Sequence, residues 1–152
     1  MNFSIQKKNE VVDFVELNTT GDTENYNRCD EESLYLNNLV FCIFADCFER
    51  SNHLFDFITP TIYTSRHFIS LKNELSENLH KLLEINNIQE FWEYIGSIHM
   101  GSELVVKMGG NDPELRKKWR GKLRHLIRDN NYLTRLIEHC IAHERVLWVI
   151  PY

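Results

Sequence analysis

The chain has 152 residues, of which 43% are hydrophobic and 12% aromatic. This composition excludes a disordered protein and fits a single domain over residues 1–152. The net charge of −5 argues against a general nucleic-acid binder, although a local basic patch could still bind one. The longest apolar run is too short to span a membrane, and the first residues lack the pattern of a signal peptide.

The amino-terminal segment and the loops allow more than one interpretation. Residues 1–20 contain a short apolar group that could form a helix or an edge strand. Residues 18–30 are polar and acidic, which is typical of a loop. Further on, Pro60 follows a threonine, so this pair either starts a helix or marks a loop.

A buried helix is predicted over about residues 31–50. Asp30 is a good N-cap residue for it, and Glu31 and Glu32 suit the positive end of the helix dipole. The predicted helix is apolar on all sides over residues 39–45. Such a helix is normally central and covered by its neighbours.

The middle of the chain predicts two amphipathic helices. Over about residues 66–85, leucines and a phenylalanine recur at three- and four-residue spacing. Asn87, with a glutamate three residues later, forms a capping-box pattern for a helix over about 88–108. The pair Gly109-Gly110 then ends that helix.

The clearest helix start in the chain is Asp112-Pro113, which combines an N-cap residue with a proline at the first helical position. This helix should run to about Arg128, where residues 129–131 either break it or bend it. A last helix is expected over about 132–147, and the apolar tail 147–152 should dock on the body.

These elements predict an all-α single-domain bundle of five or six helices, with only residues 1–20 left as helix or short strand. The four cysteines lack the spacing of a disulfide scaffold and are expected to be free thiols in a reducing cytoplasm. They are Cys29, Cys42, Cys47 and Cys140.

Motifs that could carry chemistry are incomplete. His139 and His143 share a helical face at a spacing that can hold a metal, but Cys140 replaces the glutamate of the zinc-protease motif. A third ligand would be needed, and His99 and His125 are the candidates. No phosphate loop or nucleophile motif occurs. We therefore predict a non-enzymatic protein without a metal or another cofactor.

The charge is strongly uneven along the chain. Residues 1–60 carry eleven acids against four bases, whereas the predicted helix 114–128 is basic. Its bases could contact phosphates. They are Arg116, Lys117, Lys118, Arg120, Lys122, Arg124 and Arg128. Because Trp119 falls on the apolar stripe and the total charge is acidic, a solvated helix face is the preferred interpretation, and a nucleic-acid partner is not expected.

The acidic segment is the strongest candidate for a partner-binding surface. Clustered carboxylates with aromatic side chains suit the capture of a basic protein surface, although a flexible, solvated loop is an alternative interpretation. The candidate contact residues are Asp22, Glu24, Tyr26, Asp30, Glu31, Glu32 and Tyr35.

In size, acidic charge and lack of catalytic motifs, the chain resembles the immunity proteins of bacterial contact-dependent growth inhibition toxin systems. The segment containing Tyr26 and Tyr35 carries this resemblance. It implies a cytoplasmic, non-membrane protein that neutralises a cationic toxin domain, often a nuclease, by covering its active site in a one-to-one complex. The alternatives are a nucleic-acid-associated regulator using the basic helix and a metal-dependent enzyme centred on His139 and His143.

Overall fold

A four-stranded antiparallel sheet joins the two ends of the chain. The computed structural model describes residue 5, residues 13–107 and residues 113–152. In these residues the elements in chain order are β1 (Phe14–Asn18), β2 (Leu34–Asn37), α1 (Asn38–Ser51), β3 (Thr61–Tyr63), α2 (Ser65–Leu83), α3 (Ile88–Ser97), α4 (Gly101–Lys107), α5 (Pro113–Ala142) and β4 (Leu147–Pro151).

The strand order is β2-β1-β4-β3, so the prediction of an all-α bundle is wrong. The ambiguous amino-terminal segment contributes β1, an inner strand of the sheet. The apolar tail is β4, which pairs with β1 so that Val15 lies opposite Pro151 and Asn18 opposite Trp148. Pro60 directly precedes β3, which pairs with β4 on its other side. The fold is therefore a mixed α/β one.

The helices cover one face of the sheet. Val15 and Leu17 of β1 point into a hydrophobic core shared with α1, in which residues 39–45 are all buried. This confirms the central position predicted for that apolar run. The helix begins later than predicted, because Asn37 caps it by accepting a 3.0 Å hydrogen bond from the Leu39 N–H. Asp30 is therefore not its N-cap, since β2 intervenes.

Two of the predicted helix boundaries are confirmed. Helix α2 matches the predicted helix over 66–85, and the Asn87 side chain caps α3 by accepting from the Glu90 N–H at 2.9 Å. The predicted helix over 88–108 is instead two helices, separated at Met100, whose φ is +57°. Gly109-Gly110 and Asp112 lie outside the described residues.

Residues 113–142 form one continuous helix, α5. Of the two alternatives predicted for residues 129–131, a break and a bend, the break does not occur, and the helix predicted over about 132–147 is the second half of α5. The fully buried Asn130 donates to the Leu75 carbonyl at 2.9 Å and accepts from Asn78 Nδ2 at 3.0 Å. The Tyr94 hydroxyl donates to Asn78 Oδ1 at 2.7 Å. These hydrogen bonds satisfy the buried amides inside the helical layer and tie α5 to α2 and α3.

Candidate functional site: an acidic loop and an apolar cavity

The acidic loop, residues 19–33, covers the face of the sheet that is opposite the helices. Successive side chains of a strand point to opposite faces, so Phe14, Glu16 and Asn18 of β1 face the loop while Val15 and Leu17 face the core. Glu16 and Asn18 are both fully buried beneath the loop. The two polar side chains therefore take part in holding the loop on the sheet.

Glu16 is the main attachment of the loop. Its Oε2 accepts hydrogen bonds from the Cys29 N–H at 2.8 Å and from the Tyr152 hydroxyl at 2.8 Å. Its Oε1 accepts from the Asp30 N–H at 3.1 Å. Cys29 has a φ of +54°, which turns consecutive backbone N–H groups toward the same carboxylate. A buried carboxylate needs such donors, and here they fix residues 29 and 30 in place.

The first half of the loop has its own attachments. Asn18 Oδ1 accepts from the Gly21 N–H at 3.0 Å, and the Trp148 indole donates to the Asp22 carbonyl at 2.8 Å. The Tyr26 ring packs on the Trp148 ring with centroids 4.7 Å apart. A side chain at Gly21 would meet the Asn25 carbonyl at 2.7 Å, so the tight packing of the loop requires glycine there.

Tyr26 and Tyr35, the two aromatic residues predicted to contact a partner, take part in packing within the protein. Tyr35 is fully buried, and its hydroxyl donates to the Asp30 carbonyl at 2.7 Å. Burial, together with the Glu16 charge, raises the pKa of Tyr35 to about 12. Tyr26 is half-buried against Trp148. The Tyr35 ring therefore supports the loop from below and is not at the surface, whereas Tyr26 keeps an exposed edge.

The predicted carboxylates remain at the surface. Asp22 Oδ1 accepts from the N–H groups of Glu24 and Asn25 at 2.8 and 2.7 Å, and these hydrogen bonds lower its pKa. Asp30 makes a similar turn by accepting from the Glu32 N–H at 2.8 Å. Asp30 is half-buried, and the other four predicted carboxylates are exposed. The five are Asp22, Glu24, Asp30, Glu31 and Glu32. Among the described residues, no salt bridge neutralises any of them.

A cavity of about 430 Å³ opens beside the end of the sheet, on the side of the helices. No sequence pattern indicated this cavity. Its walls are mostly apolar and come from β1, β4, the first turns of α1, the loop after α1 and the α3–α4 connection. The lining side chains include Val15, Leu39, Cys42, Phe57, Met100 and Tyr152. Apolar cavities of this size are typical of binding sites.

Two short connections form one wall of the cavity. The Phe57 ring stacks on the His99 imidazole, with centroids 4.5 Å apart and an interplanar angle of 17°. The loop that carries Phe57 is held by Asp56, whose Oδ2 accepts from the Thr59 hydroxyl at 3.1 Å. The wall is therefore built from two segments that contact each other through the Phe57 and His99 rings.

The histidine pair does not form a metal centre with the described residues. His139 and His143 lie close together, with ring centroids 4.2 Å apart. However, the structure groups no three histidine, cysteine or acidic side chains in a metal-binding arrangement within the part of the chain that it describes. The candidate third ligands lie elsewhere: His99 stacks on Phe57, and His125 Nδ1 is 2.9 Å from an Arg128 nitrogen.

The basic residues lie on the first half of α5. Trp119 is 8% exposed, which confirms its predicted place on the apolar stripe, and Arg120 packs over its ring. Glu114 pairs with Lys117 and Lys118. The remaining surface of this half-helix includes the exposed Arg116, Arg120 and Arg124. The basic face therefore belongs to the helical layer, and the acidic loop belongs to the opposite face of the sheet.

Comparison of the chain with protein-family models, curated protein sequences and solved structures found no significant match. Within the described residues, no helix combines the length and apolarity needed to cross a membrane. Function is therefore inferred from the acidic loop and the cavity.

Proposed function

We propose that this chain is a non-enzymatic binding protein whose acidic loop covers a basic protein surface, in the manner of an immunity protein that neutralises a cationic toxin domain. The observation that carries this proposal is the burial of Glu16 beneath the loop, with its carboxylate holding the backbone of Cys29 and Asp30. A surface that is already ordered loses little conformational entropy when it binds.

The charges of the loop suit such a partner. The loop carries five carboxylates and one base, Arg28. Because no salt bridge within the described residues neutralises the carboxylates, they are available to arginines and lysines of a partner. Complementary charge accelerates association and excludes wrong partners. A basic nuclease domain is the proposed target, since its substrate is itself a polyanion that an acidic surface can replace.

A cytoplasmic location belongs to the same proposal. The described cysteines are all free thiols, and Cys42, Cys47 and Cys140 are buried. Free, buried thiols are typical of a reducing compartment. Burial raises the pKa of Cys47 to about 12, which keeps that thiol protonated and unreactive.

The test compares two variants with the same net charge. Glu24→Lys with Glu31→Lys reverses two carboxylates of the loop, whereas Glu84→Lys with Glu93→Lys reverses two exposed carboxylates on the helical layer. Binding is measured by calorimetry against basic nuclease domains, starting with any encoded beside the gene. We expect the loop variant to raise the Kd at least tenfold and the helix variant less than threefold.

Two results would reject the proposal. The first is that wild-type protein shows no affinity for any of these domains, and the second is that both variants weaken binding equally. Equal weakening would mean that total charge, and not the acidic loop, determines the affinity.

Binding of a nucleic acid by α5 is a second candidate, favoured by the exposed Arg116, Arg120 and Arg124 on one helix. It predicts salt-dependent binding of DNA or RNA that Arg120→Glu with Arg124→Glu abolishes. The absence of binding at low salt would exclude it.

A further inference from the structure

Exposed apolar side chains are concentrated around the mouth of the cavity. Ile58 lines the cavity and is 84% exposed. Phe57, Met100 and Tyr152 also line it and are each more than a third exposed. An apolar rim around an apolar cavity is a surface from which a bound partner would remove much water-exposed hydrocarbon.

Among the described residues, the carboxylates of Asp56 and Asp13 are the charges placed at the cavity. Asp56 lines it, and the exposed Asp13 lies at its edge, where the Asp13 carbonyl accepts from the N–H of the lining Asn38. Burial raises the pKa of the lining Cys42 to about 11, and the Glu103 carboxylate acts in the same direction. No lysine or arginine is among the described side chains that line the cavity. An occupant with positive charge beside an apolar group would therefore complement it.

Tyr152 connects the cavity to the acidic loop. Tyr152 is among the residues that line the cavity, and its hydroxyl donates to the Glu16 oxygen that also receives the Cys29 N–H. The Phe14 ring packs on Tyr152 with centroids 4.7 Å apart. The two surfaces therefore meet at this residue, and one partner can contact both.

We propose that the cavity receives a large apolar side chain from a lysine- or arginine-rich segment of the same basic partner that the acidic loop binds. This inference rests on the proposed function and adds an anchor to it, namely the partner side chain that enters the cavity. Interfaces commonly derive most of their affinity from a few large side chains that enter pockets, with charged contacts around them. A cavity of about 430 Å³ holds one aromatic side chain with its neighbouring backbone.

The experiment uses three probes and reads amide chemical shifts of the ¹⁵N-labelled protein. The first probe is a lysine peptide with one central tryptophan, the second is the same peptide with alanine in place of tryptophan, and the third is the neutral N-acetyl-tryptophanamide. The tryptophan peptide should shift His99 and Met100 as well as Glu24 and Glu31. The alanine peptide should shift the loop alone, and the neutral probe should bind at least tenfold more weakly.

Ile58→Ser should raise the Kd of the tryptophan peptide about fivefold and leave that of the alanine peptide unchanged. Ile69→Ser is the matched control, since Ile69 is 64% exposed on α2 and does not line the cavity. It should leave both values unchanged. Both substitutions are on the surface, so the fold is expected to tolerate them.

Several outcomes would overturn the anchor. Identical shifts from the two peptides would do so while leaving the loop proposal standing. Equal affinity for the neutral probe would make the cavity a small-molecule site. A dimer that Ile58→Ser dissociates would make a second copy the occupant. Shifts at the cavity without shifts at the loop would support the anchor and contradict the acidic loop as the docking surface.

Discussion

The substitution Glu16→Gln tests whether the buried carboxylate holds the acidic loop. Glutamine has nearly the same shape but offers one acceptor oxygen where the carboxylate offers two. Because Cys29 and Asp30 donate to different oxygens of Glu16, one of the two backbone N–H groups must then face an amide donor. A hydrogen bond to a charged acceptor contributes about 1.5–3 kcal/mol, and the two that remain also lose their charge. We expect the free energy of unfolding to fall by about 3 kcal/mol, which a domain of ordinary stability tolerates.

The assay is urea unfolding combined with amide hydrogen exchange, which locates the change. The amides of Cys29 and Asp30 should exchange faster in Glu16→Gln, while those of β4 should not. Glu24→Gln is the control, because that side chain is exposed in the same loop, and it should change stability by less than about 0.5 kcal/mol. Equal stability of the two variants, with unchanged exchange at Cys29 and Asp30, would refute the role assigned to Glu16.

Two further predictions concern the helical layer. Burial raises the pKa of Asp129 to about 7, and Arg128 offsets only part of this effect. Since the folded state then binds more protons than the unfolded state between about pH 4 and pH 7, this group makes stability fall as the pH rises through that window. Asp129→Asn should therefore raise the free energy of unfolding, measured with urea, by about 2–4 kcal/mol at pH 8 and leave it close to the wild-type value at pH 4. The absence of a gain at pH 8 would contradict this prediction. Asn130→Ala should lower the free energy of unfolding by about 3 kcal/mol, because it leaves Asn78 and the Leu75 carbonyl buried without their partner; a loss below about 1 kcal/mol by urea unfolding would contradict it.

The helices were predictable because their signals are local. Asn87 and Pro113 sit at helix starts that a sequence pattern identifies without knowledge of the rest of the chain. The apolar run at 39–45 was correctly expected to be covered. The interior of α5 was not predictable, since residues 129–131 resemble a helix break until Asn130 finds its partners in α2.

The sheet was not predicted, because its strands pair across long distances in the sequence. β1 and β4 are five residues each and lie at opposite ends of the chain, so their pairing leaves no local signal. β1 is covered on both faces, by the helices and by the acidic loop, and four of its five residues are buried. The alternation of apolar and polar residues that marks a strand is confined to residues 15–18, and the apolar residues just before it are equally compatible with a helix. The role of Glu16 also could not be predicted, because sequence alone cannot show the donors that satisfy a buried carboxylate.

The candidate site was partly predictable for similar reasons. The carboxylates of the loop follow from composition, and they do lie at the surface. The cavity could not be foreseen, because its walls come from segments as distant as Val15, Phe57 and Tyr152. The roles of Trp148 and Glu16 also depend on the pairing of the chain ends, which positions both beneath the loop.

The most direct test of the account is the binding footprint of a basic nuclease domain, measured by hydrogen exchange of the chain alone and in complex. We predict that the amides of residues 22–32 gain protection in the complex and that those of residues 116–128 do not change. Protection confined to residues 116–128, with none in the acidic loop, would contradict the account.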